Sequence, residues 1–158
     1  LTKVLVLFIV PDMAEFGAAP GVLLARGVCR ALDGLGFVPI CEYPVTRGLR
    51  VDVLGLGPKG EVWIVECKSS LADFRADQKW QGYLPWCDRF FWAVGPDFPR
   101  EVLPNGHGLF LADAYGGELL QTGPETRLPA ARRKSVTLGV AQAAGRRLHR
   151  LTDPQGHP

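Results

Sequence analysis

Two runs of β-branched and apolar residues, 51–56 and 62–68, flank Gly57, Pro58, Lys59 and Gly60. This pattern constrains the chain more than any other stretch. β-branched residues favour the pleated strand, while Gly and Pro supply turn geometry, so the segment reads as a β-hairpin. A five-residue loop over 57–61 pairs Leu56 with Val62, Leu54 with Ile64 and Asp52 with Glu66. Side chains two residues apart share a face, which puts Asp52, Glu66 and Lys68 on one side of the sheet. Directly opposed residues have Cβ atoms roughly 4.5–5.5 Å apart.

Two carboxylates at that separation repel, and the apolar strands around them make charge expensive. A divalent cation resolves the conflict, because Mg²⁺ is commonly held by one or two carboxylates while phosphate oxygens complete its shell. Lys68 adds a positive charge that can steady a developing phosphorane or orient a water. Asp, a hairpin and then Glu-x-Lys therefore describe a phosphodiesterase centre. The competing reading is a strand end that exposes its charges, with Glu66 and Lys68 as a surface ion pair.

Asp52, the hairpin and Glu66-Cys67-Lys68 resemble the signature of the PD-(D/E)XK nuclease superfamily. The flanking residues resemble a narrower group, the MmcB-like DNA repair proteins. The segments that carry this likeness are Arg26 to Arg30, Glu42, Arg50-Val51-Asp52, Val65 to Ser70, Asp73 to Trp80, Tyr83 and Cys87 to Val94, within residues 21–95. The resemblance implies an α/β, restriction-endonuclease-like αβββαβ core with a mixed sheet. It also implies a Mg²⁺ or Mn²⁺ site and phosphodiester hydrolysis on damaged or branched DNA. Asp52 and Glu66 would then hold the metal, with the Cys67 backbone carbonyl as a further oxygen ligand. Lys68 would be catalytic and Lys79 an accessory on the following helix. Superfamily members often carry an acid on the first helix, where this chain has Arg26 and Arg30; Glu42 is the candidate for that third carboxylate. Val51 also stands where the superfamily has Pro. The alternative function is a DNA-binding repair module that keeps the fold without turnover. Cutting branched DNA would call for paired active sites, and hence a homodimer.

At 158 residues the chain has room for a sizeable core, and 47% hydrophobic with 22% charged residues is ordinary for a globular protein. Three regions of one domain are expected. Residues 1–20 form an N-terminal extension, with either a native start at Met13 or a genuine edge strand. Residues 21–125 form the nuclease-like core, and residues 126–158 a basic C-terminal helix and tail. Of 18 basic and 16 acidic residues, the last region holds seven basic (Arg127, Arg132, Arg133, Lys134, Arg146, Arg147, Arg150) against Asp153. That asymmetry suits an anionic partner, nucleic acid first. Arg26, Arg30, Arg50, Arg132, Arg133 and Lys134 are the candidate phosphate contacts.

Within the core, helical periodicity over 22–35 predicts a first helix, and 37–43 a strand that runs into a turn at Pro44. Ser69 or Ser70 caps a helix over 71–84, with Lys79 and Tyr83 on one stripe and Trp80 as a core aromatic or base-stacking platform. Residues 89–94 make a strand parallel to the Glu66 strand, and 109–112 with 118–121 a peripheral hairpin. Residues 130–150 make the last helix, with Val136, Val140, Ala144 and Leu148 in one row. Cys29, Cys41, Cys67 and Cys87 lack CxxC spacing and read as free thiols in a reducing, cytoplasmic setting. Residues 1–10 are too short an apolar run to span a bilayer.

Overall fold

The computed structural model describes residues 19–155; the expectations for residues 1–18 lie outside them. Helix α1 (Pro20–Gly34) leads into strands β1 (Val38–Thr46), β2 (Leu49–Leu56) and β3 (Val62–Lys68). Helix α2 (Leu71–Ala76) and a 3-10 turn (Trp80–Trp86) connect to β4 (Arg89–Val94). Strands β5 (Gly108–Ala112) and β6 (Gly117–Gln121) and helix α3 (Ala130–Thr152) complete the chain. The six strands form one sheet in the order β1-β2-β3-β4-β5-β6, with β3, β4 and β5 parallel and the other neighbours antiparallel. The fold is α/β with a mixed sheet, in the αβββαβ order expected, followed by a peripheral hairpin and a C-terminal helix.

Alternation along the strands sends apolar side chains to both faces. On one face Leu24, Val28 and Leu32 of α1, spaced by four, cover Val53, Val65, Phe91 and Phe110. On the other, Val136 and Val140 of α3 and Tyr83 of the 3-10 turn cover Leu54, Val62, Ile64, Phe90 and Trp92. Trp80 joins this second layer, its ring centroid 5.3 Å from that of Trp92, so it is a core aromatic. Midway along α1, where it meets the turn of the peripheral hairpin, Gly27 admits no side chain. A Cβ there would stand 2.0 Å from the Asp113 carbonyl oxygen.

The β2–β3 register is the expected one, Leu56 opposite Val62 and Leu54 opposite Ile64. Three elements depart from expectation. The helix foreseen over 71–84 ends at Ala76, because the Asp77 carboxylate accepts the Lys79 backbone N–H and so offers the chain a turn in place of the next helical bond. Strand β1 continues through Pro44 to Thr46; it is an edge strand, where a missing N–H costs no ladder bond, and Gly48 (φ 80°) makes the turn. On α3 the row through Ala144 and Leu148 is exposed. At 100° per residue a spacing of four drifts around the axis, and the inner stripe passes instead to Ala143 and Arg147.

One irregularity positions the functional residues. Glu42 adopts φ 51°, unusual for a side chain with a Cβ. The pairing runs Cys41 to Val53 and Tyr43 to Val51, so no residue is inserted. Yet Cys41 and Val53 pack toward α1, whereas Tyr43 and Val51 pack toward α3. Strict alternation would put all four on one face. Both edge-side strands thus rotate at Glu42 and Asp52.

Candidate active site

That rotation takes Asp52 out of the backbone ladder, which ends at Val53 opposite Val65. Side chains carry the connection onward. Asp52 Oδ2 accepts the Cys67 backbone N–H at 2.8 Å, and the Asp52 N–H donates to Glu66 Oε1 at 3.2 Å. Glu66 lies on β3 in phase with Val62 and Ile64, only 3% exposed, and Lys68 is 5% exposed. Lys68 Nζ donates to Asp77 Oδ2 at 2.7 Å and stands 3.7 Å from Glu66 Oε2. Tyr83 closes this side, its hydroxyl donating to the Arg50 carbonyl at 3.0 Å.

Burial dominates the electrostatics. It raises the Asp52 carboxyl above its ordinary range despite the Cys67 N–H. Burial, with the nearby charge of Asp52, pushes Glu66 up to about 8. Burial opposes the Lys68 ammonium, but the Asp77 hydrogen bond and the Glu66 charge outweigh it and hold the amine protonated. Burial likewise opposes the Asp77 anion, and the hydrogen bonds from Lys68 and from the Lys79 backbone N–H bring its carboxyl below the usual value. Lys68 and Asp77 form the settled ion pair; Asp52 and Glu66 are left without a cation of their own, and burial favours their protonated forms.

A cavity of about 680 Å³ opens beside this cluster, lined by Asp52, Cys67, Lys68 and Asp73 on one wall and by Arg26 and Arg30 of α1 on the other. Asp73 is fixed by the predicted cap, its N–H donating to Ser70 Oγ at 3.1 Å. Arg30 Nη1 donates to the Tyr115 carbonyl at 2.8 Å. Glu42 also lines the cavity, where its carboxylate meets Arg50 Nε at 2.7 Å; both side chains are more than half exposed, at 54% and 68%.

The remaining expected residues lie apart. Lys79 is exposed beyond the end of α2, and only its backbone N–H meets Asp77. Arg132 Nη1 donates to the Pro85 carbonyl and its guanidinium lies 5.0 Å over the Trp86 ring. Arg133 grips the buried Asp88 with two bonds of 2.7 Å and also reaches the Gly60 carbonyl. Lys134 is exposed beside it. These three gather near Asp88 and Gly60, at the start of β3. Lys68 ends that strand six residues away, about 20 Å at roughly 3.3 Å per residue.

Sequence reasoning missed two members of the site. Asp77 was readable only as a helical residue; the short Asp77–Lys79 spacing that permits an Asx turn was its one signal. Arg147 had none. Its guanidinium donates to the carbonyls of Cys41 (2.6 Å) and Glu42 (3.0 Å), holding the rotated backbone from a helix more than a hundred residues away.

Among the described residues no group of three or more His, Cys, Asp or Glu side chains is spaced to hold a metal ion. Asp52 and Glu66 still suit a hard cation that takes two protein ligands. Each carboxylate spends one oxygen on a backbone N–H, leaving its other oxygen as a donor, and burial disfavours their joint ionisation without a counter-charge. No helix among the described residues is long and apolar enough to cross a membrane.

A mixed α/β sheet, with the half-buried Asp52, the buried Glu66 and a buried lysine where its central strands part, defines an α/β protein with a strongly charged site at the centre of its sheet. The family description "DNA repair protein MmcB-like" matches residues 17–155, and the chain belongs to that family. A solved protein of unknown function from Silicibacter pomeroyi is 57% identical, with a TM-score of 0.88 over 90% of this chain and 97% of that one. No curated protein matches.

Proposed function

We propose that this member of a DNA repair family is a metal-dependent deoxyribonuclease with a PD-(D/E)XK-type site. The observation that carries the reading is the interior cluster of Asp52, Glu66 and Lys68, in which burial pushes Glu66 up to about 8 while Asp77 keeps Lys68 charged. A surface ion pair would show neither this burial nor a raised carboxyl. Asp52 and Glu66 would hold Mg²⁺ or Mn²⁺, which supplies Lewis-acid stabilisation of the phosphoryl oxygens when bound. Lys68, pinned by Asp77, orients a water against the phosphate and opposes the negative charge that develops there. Arg26 and Arg30, four residues apart on the facing wall, guide the backbone of a DNA strand into the cavity.

The test is incubation with Mg²⁺ or Mn²⁺ and single-stranded, duplex, flapped and four-way-junction DNA, with Lys68→Ala in parallel. Cleavage by the wild type that disappears in the variant supports the proposal. Wild-type protein that binds no divalent metal and cuts no DNA form overturns it. One observation favours a non-catalytic DNA-binding module instead: Glu42, the candidate third carboxylate, is engaged by Arg50. Salt-dependent DNA binding indifferent to Asp52→Asn and Lys68→Ala, without cleavage, would establish that module.

A further inference from the structure

The wall of the cavity contains a feature that phosphodiester chemistry does not use. Cys29 on α1 and Cys41 on β1 meet with their Sγ atoms 3.2 Å apart, twelve residues apart in the chain. Both are free, both are half-buried, and both line the cavity. The other two thiols differ. Cys67 is buried in the α1-side core, and Cys87 is buried with its Sγ directed at the carbonyls of Tyr83 and Leu84. Cys29 and Cys41 are therefore the pair that combines sulfur contact with access from solvent.

We propose that Cys29 and Cys41 form an oxidisable dithiol, a modification site at which a hydroperoxide makes a disulfide between α1 and β1. A disulfide needs sulfurs about 2.05 Å apart, so closing the present contact asks for a movement of about 1 Å. Either S–H can donate to the other sulfur, and the exchange begins when one of the pair, here Cys41, is the thiolate. Its thiolate attacks the terminal oxygen of the hydroperoxide, the O–O bond breaks, and the alkoxide leaves as an alcohol after taking a proton. The resulting sulfenic acid is then attacked by the Cys29 sulfur. The S–S bond forms, the S–O bond breaks, and hydroxide departs with the Cys29 proton as water. The two thiols lose two electrons and two protons; the peroxide is reduced to alcohol and water.

Contact with the partner sulfur decides the product. A solitary exposed thiolate proceeds to sulfinic acid, whereas a sulfenic acid already touching a second thiol is captured as a disulfide, which a dithiol reductant reverses. The location gives the modification a reach beyond the two residues. Cys41 immediately precedes Glu42, and Arg147 holds the carbonyls of both. The bridge would tie α1, with Arg26 and Arg30, to the backbone that aims Asp52.

The experiment is intact-mass spectrometry of full-length protein after treatment with hydrogen peroxide, followed by alkylation under denaturing conditions and peptide mapping. The expected result is loss of two hydrogen masses, with Cys29 and Cys41 joined in one peptide pair, Cys67 and Cys87 still alkylated, and recovery on adding dithiothreitol. Cys29→Ser should instead add oxygen at Cys41 without losing hydrogen. Oxygen adducts alone on the wild type, or a linked peptide that includes Cys67 or Cys87, would overturn the proposal. The wild-type map decides even if the variant folds poorly, and none of these readouts depends on nuclease activity.

Discussion

Replacing Glu66 by Gln tests the electrostatics of the interior cluster directly. The carboxyl moves from an ordinary value of 4.5 to about 8 on folding. The sign follows from proton counting. Between these values the folded chain keeps a proton that the unfolded chain has released, so ν_U − ν_N is negative and stability falls as pH rises. The contribution is absent below about pH 4.5 and grows by about 1.4 kcal/mol per pH unit. It levels off above about pH 8, at a ceiling of about 5 kcal/mol. Coupling to Asp52 and the nearby Lys68 charge make roughly 2–5 kcal/mol the range to expect. Gln keeps an oxygen for the Asp52 N–H and carries no charge. The variant should therefore equal or fall slightly below the wild type near pH 5 and be the more stable protein near pH 8. Urea unfolding of both proteins across that interval, in metal-free buffer, measures the difference. A stability gap that does not change with pH, or a wild type that gains on the variant as pH rises, would refute the reasoning. Added Mg²⁺ should recover part of the lost stability in the wild type at high pH and leave Glu66→Gln unmoved.

Asp88→Ala should cost about 3–5 kcal/mol in urea or thermal unfolding, because the carboxylate also accepts the Val62 and Leu128 N–H groups and its loss strands Arg133. Burial opposes the Asp88 anion, but the Arg133 bonds prevail and lower its carboxyl below 3.8, so its stabilisation persists at neutral pH and is lost on acidification below that value. Gly27→Ala should destabilise by about 3 kcal/mol, since its Cβ meets carbonyl oxygens of Asp113 and Gly116 that cannot rotate away; an unchanged melting temperature would mean that α1 sits further from the hairpin. Arg147→Ala removes two charge-assisted bonds from the rotated backbone and should cost about 2 kcal/mol by denaturant titration, with Arg146→Ala, an exposed neighbour, as the silent control.

Local sequence determined the sheet's centre. The alternation in residues 51–56 and 62–68, with glycine and proline between, sufficed for the β2–β3 register from Leu56 opposite Val62 to Val53 opposite Val65, because a hairpin's pairing is settled by neighbours in the chain; the rotation that takes Asp52 out of the ladder left no such trace. The order of elements and the parallel β3–β4 pairing were legible for a similar reason, a strand followed by a connector and a second strand. Tertiary structure alone decided how the charged residues were used. Asp77 became the partner of Lys68 only when its side chain ended α2, and Lys79 was thereby left outside the cluster. Arg133, as legible a phosphate ligand as Arg26, was drawn to a buried carboxylate 45 residues away. Glu42 holds its uncommon backbone angle while α3 brings Arg147 to its carbonyl, and two cysteines with no sequence pattern meet across α1 and β1. Backbone periodicity is a short-range property that a sequence displays openly. The partner of a charged side chain is selected by burial and by whichever opposite charge the packed elements bring within about 3 Å, and that choice exists only in the folded chain.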